Sequence, residues 1–63
     1  MEIKFKITNH GNEYDIESTH VGFMFRKYCF YYGIDKNQLV EAIEDISNFV
    51  SKKFNANAIF YIE

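Results

Sequence analysis

Proline and tryptophan are both absent from this 63-residue chain, and glycine occurs at only three positions. A single cysteine, Cys29, excludes an internal disulfide, and a lone thiol is typical of a reducing compartment. No apolar run approaches the roughly 18 residues that a membrane-spanning helix requires. Charged and apolar residues alternate from Glu2 onward. We therefore expect no signal peptide and no membrane segment, and a cytoplasmic protein.

Charge of one sign and recognisable chemistry are also scarce. The formal net charge is -2, too small to create a strong field that would recruit nucleic acid or membrane. Neither His10 nor His20 has a second ligand at metal-binding spacing. The sequence contains no phosphate-binding loop and no nucleophile motif, and we expect Cys29 to be a small core residue. We predict a protein that is not an enzyme and that has no metal and no cofactor.

Large apolar side chains are what the chain has in abundance: 48% of its residues are hydrophobic and 19% are aromatic. Its length allows one domain, residues 1–63. A chain of this size buries only about 60% of the surface of its unfolded form. Without disulfides or metals, such folds depend on tight packing or on self-association. The composition therefore predicts more apolar surface than the monomer can bury.

Two segments near the N-terminus, residues 2–8 and 13–17, alternate between apolar and polar side chains, which predicts two half-buried strands. The turn between them, residues 9–12, contains Gly11, which can supply the positive φ of a tight hairpin loop. We centre the loop on His10 and Gly11. This register predicts four facing pairs: Ile7 with Tyr14, Phe5 with Ile16, Lys6 with Asp15, and Lys4 with Glu17.

A first helix is predicted from Ser18 or Thr19 to about Tyr32, with Gly33 as its C-terminal stop. Six of its side chains form one apolar arc: Val21, Met24, Phe25, Tyr28, Cys29 and Tyr32. Four others would lie on the opposite side, where two phenylalanines flank two cations: Phe23, Arg26, Lys27 and Phe30. Rings on that side would be covered within the monomer, form a homodimer seam, anchor a partner protein or stack on single-stranded bases.

A second helix is predicted to begin at Asp35, because Gln38 completes a capping box and Ile34 and Leu39 stand where a hydrophobic staple joins. Its pattern is two-faced at the helical period. The apolar arc contains seven residues: Leu39, Ala42, Ile43, Ile46, Phe49, Val50 and Phe54. The opposite face carries Glu41, Glu44 and Asp45, which we predict to be either a solvated surface or a docking patch for a basic partner.

The last strand is predicted from about Ala58 to Ile62 and is apolar on both faces, so it would be an edge that pairs with another chain. The predicted order is β-β-α-α-β. It corresponds to an α+β two-layer sandwich, with a three-stranded sheet and two helices on one face. The last strand would run parallel to the first, with its neighbour undetermined.

Residues 14–53 resemble the plan of the ribbon-helix-helix DNA-binding proteins. The shared features are a short strand, a helix, a Gly-Ile-Asp turn at 33–35 and a second helix reading NQLVEAI. The resemblance implies a dimeric transcriptional regulator that reads DNA with outward strand residues, here Glu13, Asp15 and Glu17. Phosphates would repel these carboxylates, so nucleic acid is the less favoured partner.

Residues 11–18, GNEYDIES, resemble a hairpin strand of a small phage-encoded anti-CRISPR protein, which implies an α+β inhibitor that blocks a nuclease. We predict a non-catalytic protein-binding module, an inhibitor or adaptor of phage or mobile-element type. Its expected contact residues are Phe23, Arg26, Lys27 and Phe30, followed by Glu41, Glu44 and Asp45. The alternatives are a DNA-binding regulator and a structural dimerisation unit, with a homodimer formed through the first helix or residues 58–62.

Overall fold

A four-stranded sheet packed against one helix makes up the described part of the chain, residues 1–18 and 30–63 of a computed structural model. The elements are β1 (Glu2–His10), β2 (Glu13–Ser18), β3 (Phe30–Ile34), α1 (Lys36–Phe54) and β4 (Asn57–Ile62). The sheet order is β3-β2-β1-β4, with antiparallel β1–β2 and β2–β3 pairs and a parallel β1–β4 pair. The α+β class is confirmed, whereas the prediction of three strands and two helices is wrong.

The first predicted helix fails at its C-terminal end, because Phe30–Ile34 is strand β3 and pairs with β2. Ser18, one of its two predicted starting residues, is the last residue of β2, and residues 19–29 lie outside the described residues. The segment FYYGI is rich in aromatic side chains, which favour strands. Gly33 has a φ of +66°, but the positive φ serves a β-bulge opposite Asp15 and not a helix cap.

The hairpin between β1 and β2 has the predicted faces but a different register. His10 pairs with Glu13, so the two-residue loop is Gly11–Asn12. Gly11 has a φ of +75° and Asn12 does not have a positive φ, as in a type II′ turn. Moving the loop by one residue shifts every pair by two positions, which leaves each side chain on its original face.

The predicted pairs of the hairpin are therefore wrong, although the buried set is correct. The observed partners across β1 and β2 are Ile7 with Ile16, Lys6 with Glu17, Thr8 with Asp15, Asn9 with Tyr14, and Phe5 with Ser18.

Strand β4 runs parallel to β1, as predicted, and lies directly beside it. The backbone N–H of Asn57 donates to the carbonyl of Met1 at 2.9 Å, and that of Glu63 donates to the carbonyl of Ile7 at 3.0 Å. Within the described part of the sheet, β4 is one edge strand and β3 is the other.

Helix α1 begins as predicted. The Asp35 carboxylate accepts from the Gln38 backbone N–H at 2.8 Å, and the Asp35 N–H donates to the Gln38 side chain at 3.0 Å, which completes the capping box. The helix ends at Asn55, whose φ of 50° is left-handed. Lys52 and Lys53 lie in the last turn, where they complement the helix dipole.

The core lies between the inner face of the sheet and α1. Phe5 stacks on Phe60 of β4 with ring centroids 5.3 Å apart. No buried polar or charged side chain occurs among the described residues. The buried apolar residues are Ile3, Phe5, Ile7, Ile16, Ala42, Ile46, Val50 and Ala56.

The predicted apolar arc of the helix is confirmed. Three of its seven residues are buried, and the other four are half-buried against the core: Leu39, Ile43, Phe49 and Phe54.

We expect Asp35→Ala to lower the free energy of unfolding by about 1 kcal/mol, because the variant loses the acceptor for the Gln38 N–H. Urea denaturation followed by circular dichroism measures this change. Asp35→Asn is the matched control, because asparagine is also a good N-cap residue, and it should retain most of the wild-type stability. Equal losses in the two variants would contradict a capping role.

Candidate functional site

Most of the contact surface predicted on the first helix lies outside the described residues. Phe23, Arg26 and Lys27 lie outside the described residues. The backbone of Phe30 belongs to β3 and pairs with Glu17, while its side chain is outside the described part. Phe30 is therefore on a strand and not on a helix. The contact role of these four residues remains a prediction.

The predicted acidic surface lies on α1, where Glu41, Glu44 and Asp45 are all exposed. Glu41 and Asp45, one turn apart, share a groove of about 210 Å³ between α1 and β3. Glu44 does not line it. The floor and walls of this groove also include Tyr31, Ile34, Gln38 and Ala42. The fold thus places two of the three acids beside apolar surface, an arrangement that sequence patterns did not reveal because β3 was not predicted.

A polar cluster on the outer face of the sheet is centred on Asp15, whose side chain is 19% exposed. Its Oδ2 lies 2.8 Å from His10 Nε2, and its Oδ1 accepts from the Gly33 backbone N–H at 3.0 Å. The Asp15 carboxylate therefore links β1, β2 and the bulge of β3. Because both oxygens are engaged in holding strands together, we assign this carboxylate a structural role.

Tyr32 lies next to this cluster, with its ring largely exposed. The pKa of the Tyr32 phenol is raised above its ordinary value. The largest cause is partial desolvation, and the nearby charge of Glu17, the hydrogen bond to Glu17 and the charge of Asp15 add to it in that order. A raised pKa keeps the phenol neutral, so this group acts as a hydrogen-bond donor.

No group of three metal-ligating side chains occurs within residues 1–18 and 30–63. Across the same two segments, no helix is long and apolar enough to span a membrane.

The edge of β4 presents backbone groups that no other described strand pairs. In a parallel ladder, alternate residues bond to the same neighbour. Asn57 and Glu63 donate their backbone N–H groups to β1. The backbone groups of the odd-numbered residues between them, Ile59 and Tyr61, therefore also point toward β1. The N–H and C=O groups of the even positions, Ala58, Phe60 and Ile62, therefore point toward the open edge of the described sheet.

The side chains along this edge are apolar and accessible. Ile59 and Tyr61 on the outer face are 38% and 39% exposed, and Ile62 at the end of the strand is 74% exposed. Natural edge strands commonly carry lysine, proline or a bulge, which discourage pairing with other chains. The segment from Asn57 to Ile62 has no charged residue and no proline, and its register with β1 is regular. Within the strand itself, none of these three protective features is present.

The sequence indicated the apolar character of β4 on both faces, and its position at an edge is confirmed within the described sheet. It did not indicate that the outward backbone groups belong to Ala58, Phe60 and Ile62, because that assignment requires the register with β1. The accessible edge and its flanking side chains, Ile59, Tyr61 and Ile62, form what we call the β4 edge.

Comparison of the chain with protein-family models, with curated proteins and with solved structures finds no match.

Proposed function

We propose that this chain is a small, non-catalytic protein-binding module that accepts an extended strand of a partner protein at the β4 edge. The observation that carries the proposal is the uncharged, regular edge strand with three exposed apolar side chains. As an inhibitor or adaptor, the module would act by occupying a segment of its partner. With a lone cysteine, it suits the reducing environment of the cytoplasm.

Strand addition would satisfy backbone groups that no other described strand pairs. Ala58, Phe60 and Ile62 each offer one N–H and one C=O at the open edge. Main-chain hydrogen bonds of this kind supply affinity, and alternate side chains supply specificity. The partner strand would extend the sheet from four to five strands, so its backbone would be recognised regardless of sequence.

The side chains beside the edge define the chemistry of the partner. Ile59 and Tyr61 lie on the outer face, where the added strand would place every second side chain next to them. Apolar β-branched or aromatic residues at those alternate positions would cover both. The partner segment is therefore an extended, apolar, uncharged strand. The acidic groove of α1 faces a different region and is not needed for this contact.

The test is selection of peptides from a random library displayed on phage, using the immobilised protein at low micromolar concentration. We expect the selected peptides to be rich in β-branched and aromatic residues. Hydrogen exchange should show that they protect the amides of Ala58, Phe60 and Ile62. The amides of Ile59 and Tyr61, already bonded to β1, should change little.

Two matched variants locate the contact. Ile59→Lys places a charge beside the edge and should weaken peptide binding by about tenfold or more, in line with the use of lysine to block edges. Val40→Lys places the same charge at a 60% exposed position on α1 and should leave binding unchanged. Peptides that protect α1 in place of β4, or salt-sensitive binding to duplex DNA without peptide binding, would overturn the proposal.

A further inference from the structure

We infer that the β4 edge also pairs with the β4 edge of a second copy of this chain, in an antiparallel register centred on Phe60. The inference rests on the proposed function, because it names one partner of the same edge. Two-fold dimers use the same patch on both subunits, so the patch must complement itself. The β4 edge meets this requirement in its backbone, its side chains and its charge.

The backbone geometry favours this register. The outward N–H and C=O groups belong to Ala58, Phe60 and Ile62. To pair these groups with those of the second copy, the two-fold axis must lie at one of these residues or midway between two of them. With Phe60 on the two-fold axis, Phe60 faces its copy and Ala58 faces Ile62 of the second copy. All three residues of each chain then form hydrogen-bonded pairs. No outward group between Ala58 and Ile62 remains unpaired.

The side-chain sizes also match in this register. Ala58 is small, while Ile62 is the most exposed apolar residue of the strand, so the large side chain would lie across from the small one. On the outer face, Ile59 would face Tyr61 of the second copy. Aromatic residues opposite β-branched residues are favourable cross-strand pairs. Both exposed outer side chains would be partly covered by one pairing.

Among the described residues, no like charges would face each other across the paired strands. Glu63, which lies 3.6 Å from Lys6 in its own chain, would face Asn57 of the second copy. The two Glu63 residues would be at opposite ends of the paired strands, about 20 Å apart at about 3.3 Å per residue.

Self-pairing hides the edge that a partner strand needs, so partner binding and dimerisation would compete.

The test of register is disulfide trapping in a Cys29→Ser background. Residues 59 and 61 of the two copies would form a non-hydrogen-bonded pair, with Cα atoms about 4.5 Å apart, within the range that a disulfide can bridge. Ile59→Cys mixed with Tyr61→Cys, under a mild oxidant, should give a cross-linked dimer of the two variants. Each variant alone should cross-link at least about tenfold less.

Sedimentation equilibrium of the unmodified chain measures association. We expect a reversible dimer with a Kd between about 1 µM and 1 mM, the weak range suited to a small interface. Ile59→Lys should remove it, while Val40→Lys should not.

A chain that stays monomeric at about 1 mM, or equal cross-linking in the separate and mixed variants, would overturn the dimer. Selected peptides that still protect β4 in that case would leave the proposed function intact. If peptides also failed to bind, both proposals would fall.

Discussion

Replacing Phe5 with alanine is expected to lower the free energy of unfolding by about 3–5 kcal/mol. Phe5 is completely buried at the centre of the sheet and stacks on Phe60 of β4. Removing the ring would leave a cavity and take away a side-chain contact between β1 and the edge strand, in addition to their backbone pairing. A domain of this size has a total stability of roughly 3–9 kcal/mol. The variant should therefore be largely unfolded or only marginally stable.

Guanidinium denaturation followed by circular dichroism measures this loss. Phe5→Leu is the control, because it keeps an apolar side chain of substantial volume and should cost no more than about 1–2 kcal/mol. All samples should have the same protein concentration, because self-association would make stability depend on it. A Phe5→Ala variant within about 1 kcal/mol of the wild type would contradict the central position of this ring.

Replacing Ile46 with lysine is expected to unfold the protein. Ile46 is fully buried on the inner face of α1, and no buried polar or charged side chain occurs in the described core around it. An ammonium group in that position would have no ion-pair partner among the described core residues. Burial of an unpaired charge is among the most destabilising single changes, here about 4 kcal/mol or more.

The matched control on the same helix is Val40→Lys. Val40 is 60% exposed, so the same new charge would remain in water. We expect this variant to keep its stability within about 0.5 kcal/mol. Dispersion of amide signals in nuclear magnetic resonance spectra distinguishes a folded from an unfolded chain for both variants. Similar behaviour of the two variants would show that the orientation of α1 is wrong.

These two predictions test the scaffold on which the β4 edge depends. Phe5 holds β4 from the side of β1, and α1 covers the inner face of the sheet. A loss of peptide binding is informative only when the variant remains folded. For that reason the edge variants change exposed residues. The two core variants, Phe5→Ala and Ile46→Lys, provide reference spectra of a destabilised or unfolded chain.

Helix α1 shows how much a local pattern can determine. The capping box involves two residues three positions apart, and the apolar arc follows the helical period, so both can be identified without knowing the rest of the fold. The exposed positions of Glu41, Glu44 and Asp45 follow from the same period. The groove beside Glu41 and Asp45 could not be predicted, because its other wall is β3.

Strand β3 shows the opposite case. A glycine after an apolar segment can end a helix or form a bulge in a strand, because both require a positive φ. The two alternatives differ in their backbone hydrogen bonds, because only the strand requires a partner from a distant segment of the chain. Here β2 provides them, together with the bond from the Gly33 N–H to Asp15. No sequence window around Gly33 contains that information.

By itself the sequence determined the faces of β1 and β2, the start of α1 and the apolar nature of β4, because periodicity and capping depend on residues close together in the chain. Only the tertiary structure decided the hairpin register, the strand at Phe30–Ile34 and the place of β4 beside β1. Those features depend on backbone pairing between remote segments, where several arrangements satisfy the same local preferences. The β4 edge follows from that pairing, since its outward groups are the ones that β1 leaves unbonded.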